Sequence, residues 1–100
     1  MTSCCLTLLC TPELEEKLLD LLLVDPEIKL FTSASSFTHG LHPKSLDQLE
    51  QVLGRGHSVT IQILLTQPDA EALLERLRSS ISGAGIQYWL TPVLAAGELT

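Results

Sequence analysis

One hundred residues, 45% of them apolar and only 18% charged, with a net charge of −6, describe one small acidic domain with room for a single core. The negative balance excludes nucleic acid, whose phosphates require clustered Lys and Arg, and it equally excludes an anionic membrane surface. Aromatic residues are 4% of the chain, so the core must be leucine, isoleucine and valine. So apolar a composition in so short a chain points to surface buried against other subunits.

No basic residue precedes Lys17, and the apolar run 4–10 is too short to span a bilayer. Neither a secretory signal nor membrane insertion is therefore expected, and the expected location is the cytoplasm.

In chain order, residues 3–10 read as a first strand. Cys4, Leu6, Leu8 and Cys10 lie on one side, and Cys5, Thr7 and Leu9 on the other. Thr11 is placed to cap a helix whose first position is Pro12, with Glu13, Glu15 and Glu16 at its positive end. Leu14, Leu18, Leu21 and Leu22 form its apolar stripe, and Asp25-Pro26 stops it. A serine-rich second strand is expected over 28–37. A short amphipathic turn of helix follows at Ser45-Leu46-Asp47-Gln48 and ends at Gly54-Arg55-Gly56. Residues 57–65 alternate most clearly, with His57, Val59, Ile61, Ile63 and Leu65 on one face. A second helix over 69–82 buries Ala70, Leu73, Leu74, Leu77 and Ile81, and Gly83-Ala84-Gly85 turns it. Residues 86–91 make the fourth strand. The stretch 93–100 reads as a short extra strand or a tail that contacts a partner.

The halves repeat. Leu8-Leu9-Cys10-Thr11-Pro12-Glu13-Leu14-Glu15 returns as Leu64-Leu65-Thr66-Gln67-Pro68-Asp69-Ala70-Glu71. Two strand–helix–strand halves give the order β-α-β-β-α-β, an α+β ferredoxin-like domain over 1–100 with an antiparallel sheet and two helices on one face. Its sheet edges carry little Lys or Pro protection, so subunits are expected to pack sheet against sheet.

What this scaffold does not require is the insertion 38–56 between the halves. His39 and His42 lie within it and His57 just beyond. Two readings stand for these histidines. They supply part of a divalent-metal site, which needs three or four converging ligands and could borrow Asp47, Glu50 or a neighbouring subunit's histidine. Otherwise they are solvated or face a subunit cleft. Gly54-Arg55-Gly56 either lets the backbone and a guanidinium hold an anion or is a turn with an exposed Arg. The three cysteines read as buried thiols: Cys4 and Cys5 point to opposite faces, and Cys4 and Cys10 lie about 20 Å apart along one strand. No matched acid, base and nucleophile appears, so the chain is read as a binding protein rather than an enzyme. Tyr88-Trp89 puts one ring on each face of the fourth strand.

Glu50-Gln51-Val52-Leu53-Gly54-Arg55-Gly56 leading into the third strand, and Ile86-Gln87-Tyr88-Trp89-Leu90-Thr91-Pro92-Val93 followed by Gly97, resemble the PII-like signalling proteins. The likeness is to a bacterial branch often encoded beside heavy-metal efflux pumps. It implies a homotrimer with ligand clefts between subunits, and a loop, here 38–56, that docks on a membrane transporter or efflux component. By that likeness Gly40, Gly54, Arg55, Gly56, Gly83 and Gly85 would line the ligand cleft, whose ligand would be an adenine nucleotide or a divalent transition metal. Ile86 stands where such proteins usually carry a lysine, and no arginine follows Thr91. Those departures favour AMP-like or non-nucleotide ligands over ATP. The CutA-type ion-tolerance proteins share the trimer but lack the Gln-Val-x-Gly-Arg segment.

Overall fold

A computed structural model of the chain describes residues 3–40, 55–81 and 83–100, with the backbone alone for Arg55. Four strands form one antiparallel sheet: β1 Ser3–Cys10, β2 Phe31–His39, β3 Arg55–Thr66 and β4 Gln87–Pro92. Their order across the sheet is β2-β3-β1-β4. Helices α1 Glu15–Leu23 and α2 Gln67–Ser80 follow β1 and β3. The arrangement is the expected α+β, ferredoxin-like one.

The centre of the sheet is the β1–β3 pair, registered from Ser3 opposite Thr66 to Cys10 opposite Val59. Alternation then fixes the rest. Cys4, Leu6, Leu8 and Cys10 face the helices beside Val59, Ile61, Ile63 and Leu65, and all eight are buried. Leu18 and Leu22 of α1, with Ala70, Leu73 and Leu77 of α2, close over them. The edge strands β2 and β4 supply no fully buried apolar residue. The edges add only partly buried side chains, Phe31 of β2 and Leu90 of β4, packed against this core, and each buried leucine or isoleucine contributes about 1.5–3 kcal/mol.

The two helix starts differ, and the repeat explains why. Thr66, the last residue of β3, accepts a hydrogen bond on its hydroxyl from the Asp69 N–H at 3.3 Å, and α2 begins at once as an α-helix with Asp69 in its first turn. The aligned residue in the first copy is Cys10, which offers no such oxygen. Thr11 lies one position too late, and its side chain makes no capping bond. The chain enters through a single 3₁₀ turn, Pro12–Leu14, before α1 starts.

Past α1, Asp25 ties the end of that helix to α2. Its buried carboxylate accepts from the Glu27 N–H at 2.9 Å and from the guanidinium of Arg76 on α2. This turn delays the second strand, which begins at Phe31 rather than at 28. At its other end β2 runs on through His39, and β3 already includes Arg55 and Gly56. Both margins of the 38–56 insertion are thus paired strand rather than loop, and the expected turn at Gly54-Arg55-Gly56 gives way to strand from Arg55 onward. The helix turn expected at Ser45-Leu46-Asp47-Gln48 lies outside the described residues. The stretch 93–100 forms no strand. The Val93 N–H bonds the Ser3 carbonyl at 3.2 Å, and every residue after it is exposed.

Replacing Thr66 by Ala is expected to lower stability by about 1 kcal/mol, whereas Thr11→Ala stays within about 0.5 kcal/mol. Urea denaturation of the two variants beside the parent reads the difference.

Candidate functional site

The predicted site residues separate into two groups at one end of the sheet. The first is the base of the β2–β3 ribbon, which outruns β1: the last β1–β3 pair is Cys10 with Val59, while β2 and β3 continue to His39 opposite Arg55. Phe37 stands opposite His57, and their rings meet at 4.8 Å, tilted by 46°. His39 and His57 share a face as diagonal neighbours, a relation that places such residues about 7–8 Å apart. Both are exposed. Gly40 follows with a φ of +81°. His42 and Gly54, with Asp47 and Glu50, lie outside the described residues. Among the described residues no three His, Cys, Asp or Glu side chains gather as metal ligands.

The second group is the turn between α2 and β4. Gly83 and Gly85 have φ of +75° and +72°, and a Cβ at either would meet nothing within 4 Å. Their absent side chains serve the left-handed turn, not the close approach of a neighbour. Beneath the turn lies a cleft of about 280 Å³, lined by Leu8, Leu74, Leu77, Ile81 and Ile86 with Arg78 and Tyr88 at its polar margin. The Arg78 guanidinium donates to Glu75 and to the Tyr88 hydroxyl at 3.4 Å. Sequence reasoning found the glycines but missed Arg78 and Tyr88 as a pair. Their spacing of ten residues spans a turn, and no periodic pattern links them.

Strand order decides how the groups relate. β2 and β4 are opposite edges, so three inter-strand steps, about 14 Å, separate the ribbon base from the glycine turn. Within one chain the described predicted residues fall into two groups at the same end of the sheet, not one cluster.

Among the described residues, no helix covers the other face of the sheet. Trp89, Leu64 and Ala34 are exposed on it, and Cys5 and Leu9 are half-buried. Not one position on this face across β1, β2, β3 and β4 is Asp, Glu, Lys or Arg. Near the ribbon, four hydroxyls form a row: Thr38 to Ser58 at 2.7 Å, Ser58 to Ser36 at 2.9 Å and Ser36 to Thr60 at 3.0 Å. Tyr88 lies on the helix side and Trp89 on the open side, as the alternation predicts.

All three cysteines are free. Burial pushes the Cys4 thiol up, helped by Cys5 and Glu71. Burial pushes Cys10 up as well, with Glu15 adding to it. Both are neutral and unreactive near pH 7. Alkylation of the folded protein with iodoacetamide at pH 7.5 is expected to leave Cys4 and Cys10 unmodified, and unfolding exposes them; peptide mass spectrometry checks both.

With this geometry in hand, the comparisons with known proteins are specific about family and silent about activity. A family model described as "Protein of unknown function (DUF3240)" matches residues 1–100. A crystal structure of a DUF3240 family protein from Shewanella baltica OS155 superposes with a TM-score of 0.82. It covers 100% of this chain and 99% of that one at 17% identity, a likeness that carries the fold alone. No curated protein matches the chain.

Proposed function

The chain belongs to the DUF3240 family, and from that premise we propose that it is a regulatory sensor of the PII type. It assembles as a homotrimer, binds a small ligand or a divalent metal in clefts between subunits, and acts through the 38–56 segment on a membrane transporter that handles heavy-metal ions. The reading is of a binding protein, not an enzyme.

One observation carries it: the open sheet face is free of charge in a chain of net charge −6. Copies of so acidic a chain repel one another over most of their surface. Across this face they meet neutral, with Trp89, Leu64 and Leu9 to bury. Assembly through it also gives the two groups a way to converge, since the ribbon base of one subunit can approach the glycine turn of the next. Arg78 then provides the cation that the cleft otherwise lacks.

A second reading, a divalent-metal buffer or tolerance protein without a protein target, is favoured by the shared face of His39 and His57.

Light scattering is expected to return a mass three times the 10.9 kDa of one chain. Cys5, on the open face, is expected to alkylate more slowly as concentration rises and subunits assemble. A monomer would sink the sensor reading. On metal-stripped protein, a ligand at a hundred times its dissociation constant adds about 2.7 kcal/mol, a midpoint rise of several degrees. Zinc, copper, nickel, cobalt, ATP, ADP, AMP and 2-oxoglutarate form the panel. A response to a metal that vanishes on replacing His39, His42 and His57 by Ala identifies the metal-binding form of the protein. A nucleotide response lost in Arg78→Ala identifies the cleft.

A further inference from the structure

The stretch after β4 breaks the pattern of the rest of the chain. Val93 continues the β1–β4 ladder through its bond to Ser3, and the chain bends at Leu94. From Leu94 onward every residue is exposed, and Leu94 and Leu99 are wholly so, at 102% and 101%. The segment is otherwise Ala95, Ala96, Gly97 and Thr100, with Glu98 as its one charged side chain. Two bare leucines on an arm beside a filled core are a cost unless something takes them up.

The same chain holds a cavity of matching chemistry. The cleft under the glycine turn is walled by leucine and isoleucine, and its about 280 Å³ exceeds a leucine side chain. On its margin, the Arg78 side chain remains 56% exposed. One of its terminal nitrogens bonds Glu75 and the other Tyr88, and a guanidinium has five N–H donors. Donors therefore remain for a further carboxylate, and the arm carries one in Glu98.

The arm does not serve its own cleft. That cleft adjoins the start of β4, and the arm leaves from the end, about 20 Å away along the strand. Reaching back would need the arm to double back along β4; the chain bends at Leu94, yet every residue from there to Thr100 stays exposed rather than packed on its own cleft.

We infer that residues 94–99 form an exchanged arm: in the assembled protein they lie in the Leu74–Ile81–Ile86 cleft of a second copy, with Glu98 against that copy's Arg78. The inference rests on the oligomeric reading above and adds to it that the neighbour completes the cleft. The outer edge of β2 is the competing berth, and Phe37 is exposed there, but Phe31–His39 holds no Lys or Arg to pair with Glu98.

Thiol cross-linking in a Cys5→Ser background tests it. Tagged Leu99→Cys chain and untagged Ala84→Cys chain are mixed, allowed to exchange subunits, and oxidised. A disulfide-linked pair of one tagged and one untagged chain is expected on a non-reducing gel. Its yield should fall several-fold with Glu98→Lys on the arm and recover when Arg78→Glu is added to the cleft. A link to Ser33→Cys in place of Ala84→Cys overturns the inference by putting the arm on the β2 edge. So does an oligomeric mass without any link to position 84, which leaves the sensor reading standing. A monomeric mass in the unaltered chain removes both.

Discussion

The antiparallel register of β1 against β3 is the constraint on which the rest of this protein depends. Once Cys10 faces Val59 and Cys4 faces Leu65, eight apolar side chains lie on one surface and two amphipathic helices have one place to go. A slip by one residue would turn that surface over. Either β1 inverts, putting Thr7 under the helices and Leu6 in water, or β3 inverts, burying Thr60 and Gln62 in place of Ile61 and Ile63. Because the fully buried core comes from these four elements, with Phe31 and Leu90 of the edges only partly buried against it, the edge strands and the open face are less bound by packing. They are where association and binding can be built at little cost to the fold.

Much of this was legible in the sequence, for reasons that can be named. β1 is legible at its true limits because Thr11-Pro12 ends it sharply; β3 is legible in its alternating body over 57–65, but not in its start at Arg55, where Gly54-Arg55-Gly56 reads as a turn. The start of β2 was not legible. Ile28 and Leu30 look like strand residues, yet the Asp25 carboxylate holds the Glu27 N–H and the Arg76 guanidinium, and this tertiary tie keeps the chain in a turn past that point. The missing Thr11 cap has a simpler cause. The repeat shifts by one residue between the copies, so the hydroxyl that matches by type does not match by place.

The candidate site was legible only in part. The positive-φ glycines announce themselves, since a Gly-Ala-Gly after a helix has few other uses. That His39 and His57 share a face follows from strand parity, but only once β2 is known to run on to His39. What no reading along the chain supplies is the distance between groups on opposite edges. Strand order, which is a property of the whole sheet, sets the ribbon base and the glycine turn apart.

The row of hydroxyls on the open face has a consequence that proton counting makes plain. Thr38, Ser58, Ser36 and Thr60 own four O–H protons and make three bonds among themselves. One donor in the row is therefore left over, whichever way the bonds run. While water wets the face, this donor is satisfied at no cost. A surface that closes over it and offers only hydrocarbon would strand a polar hydrogen at about 1–3 kcal/mol. Whatever covers the uncharged face must then bring an acceptor to that spot, and the row acts as a discriminator between a matched surface and a merely greasy one.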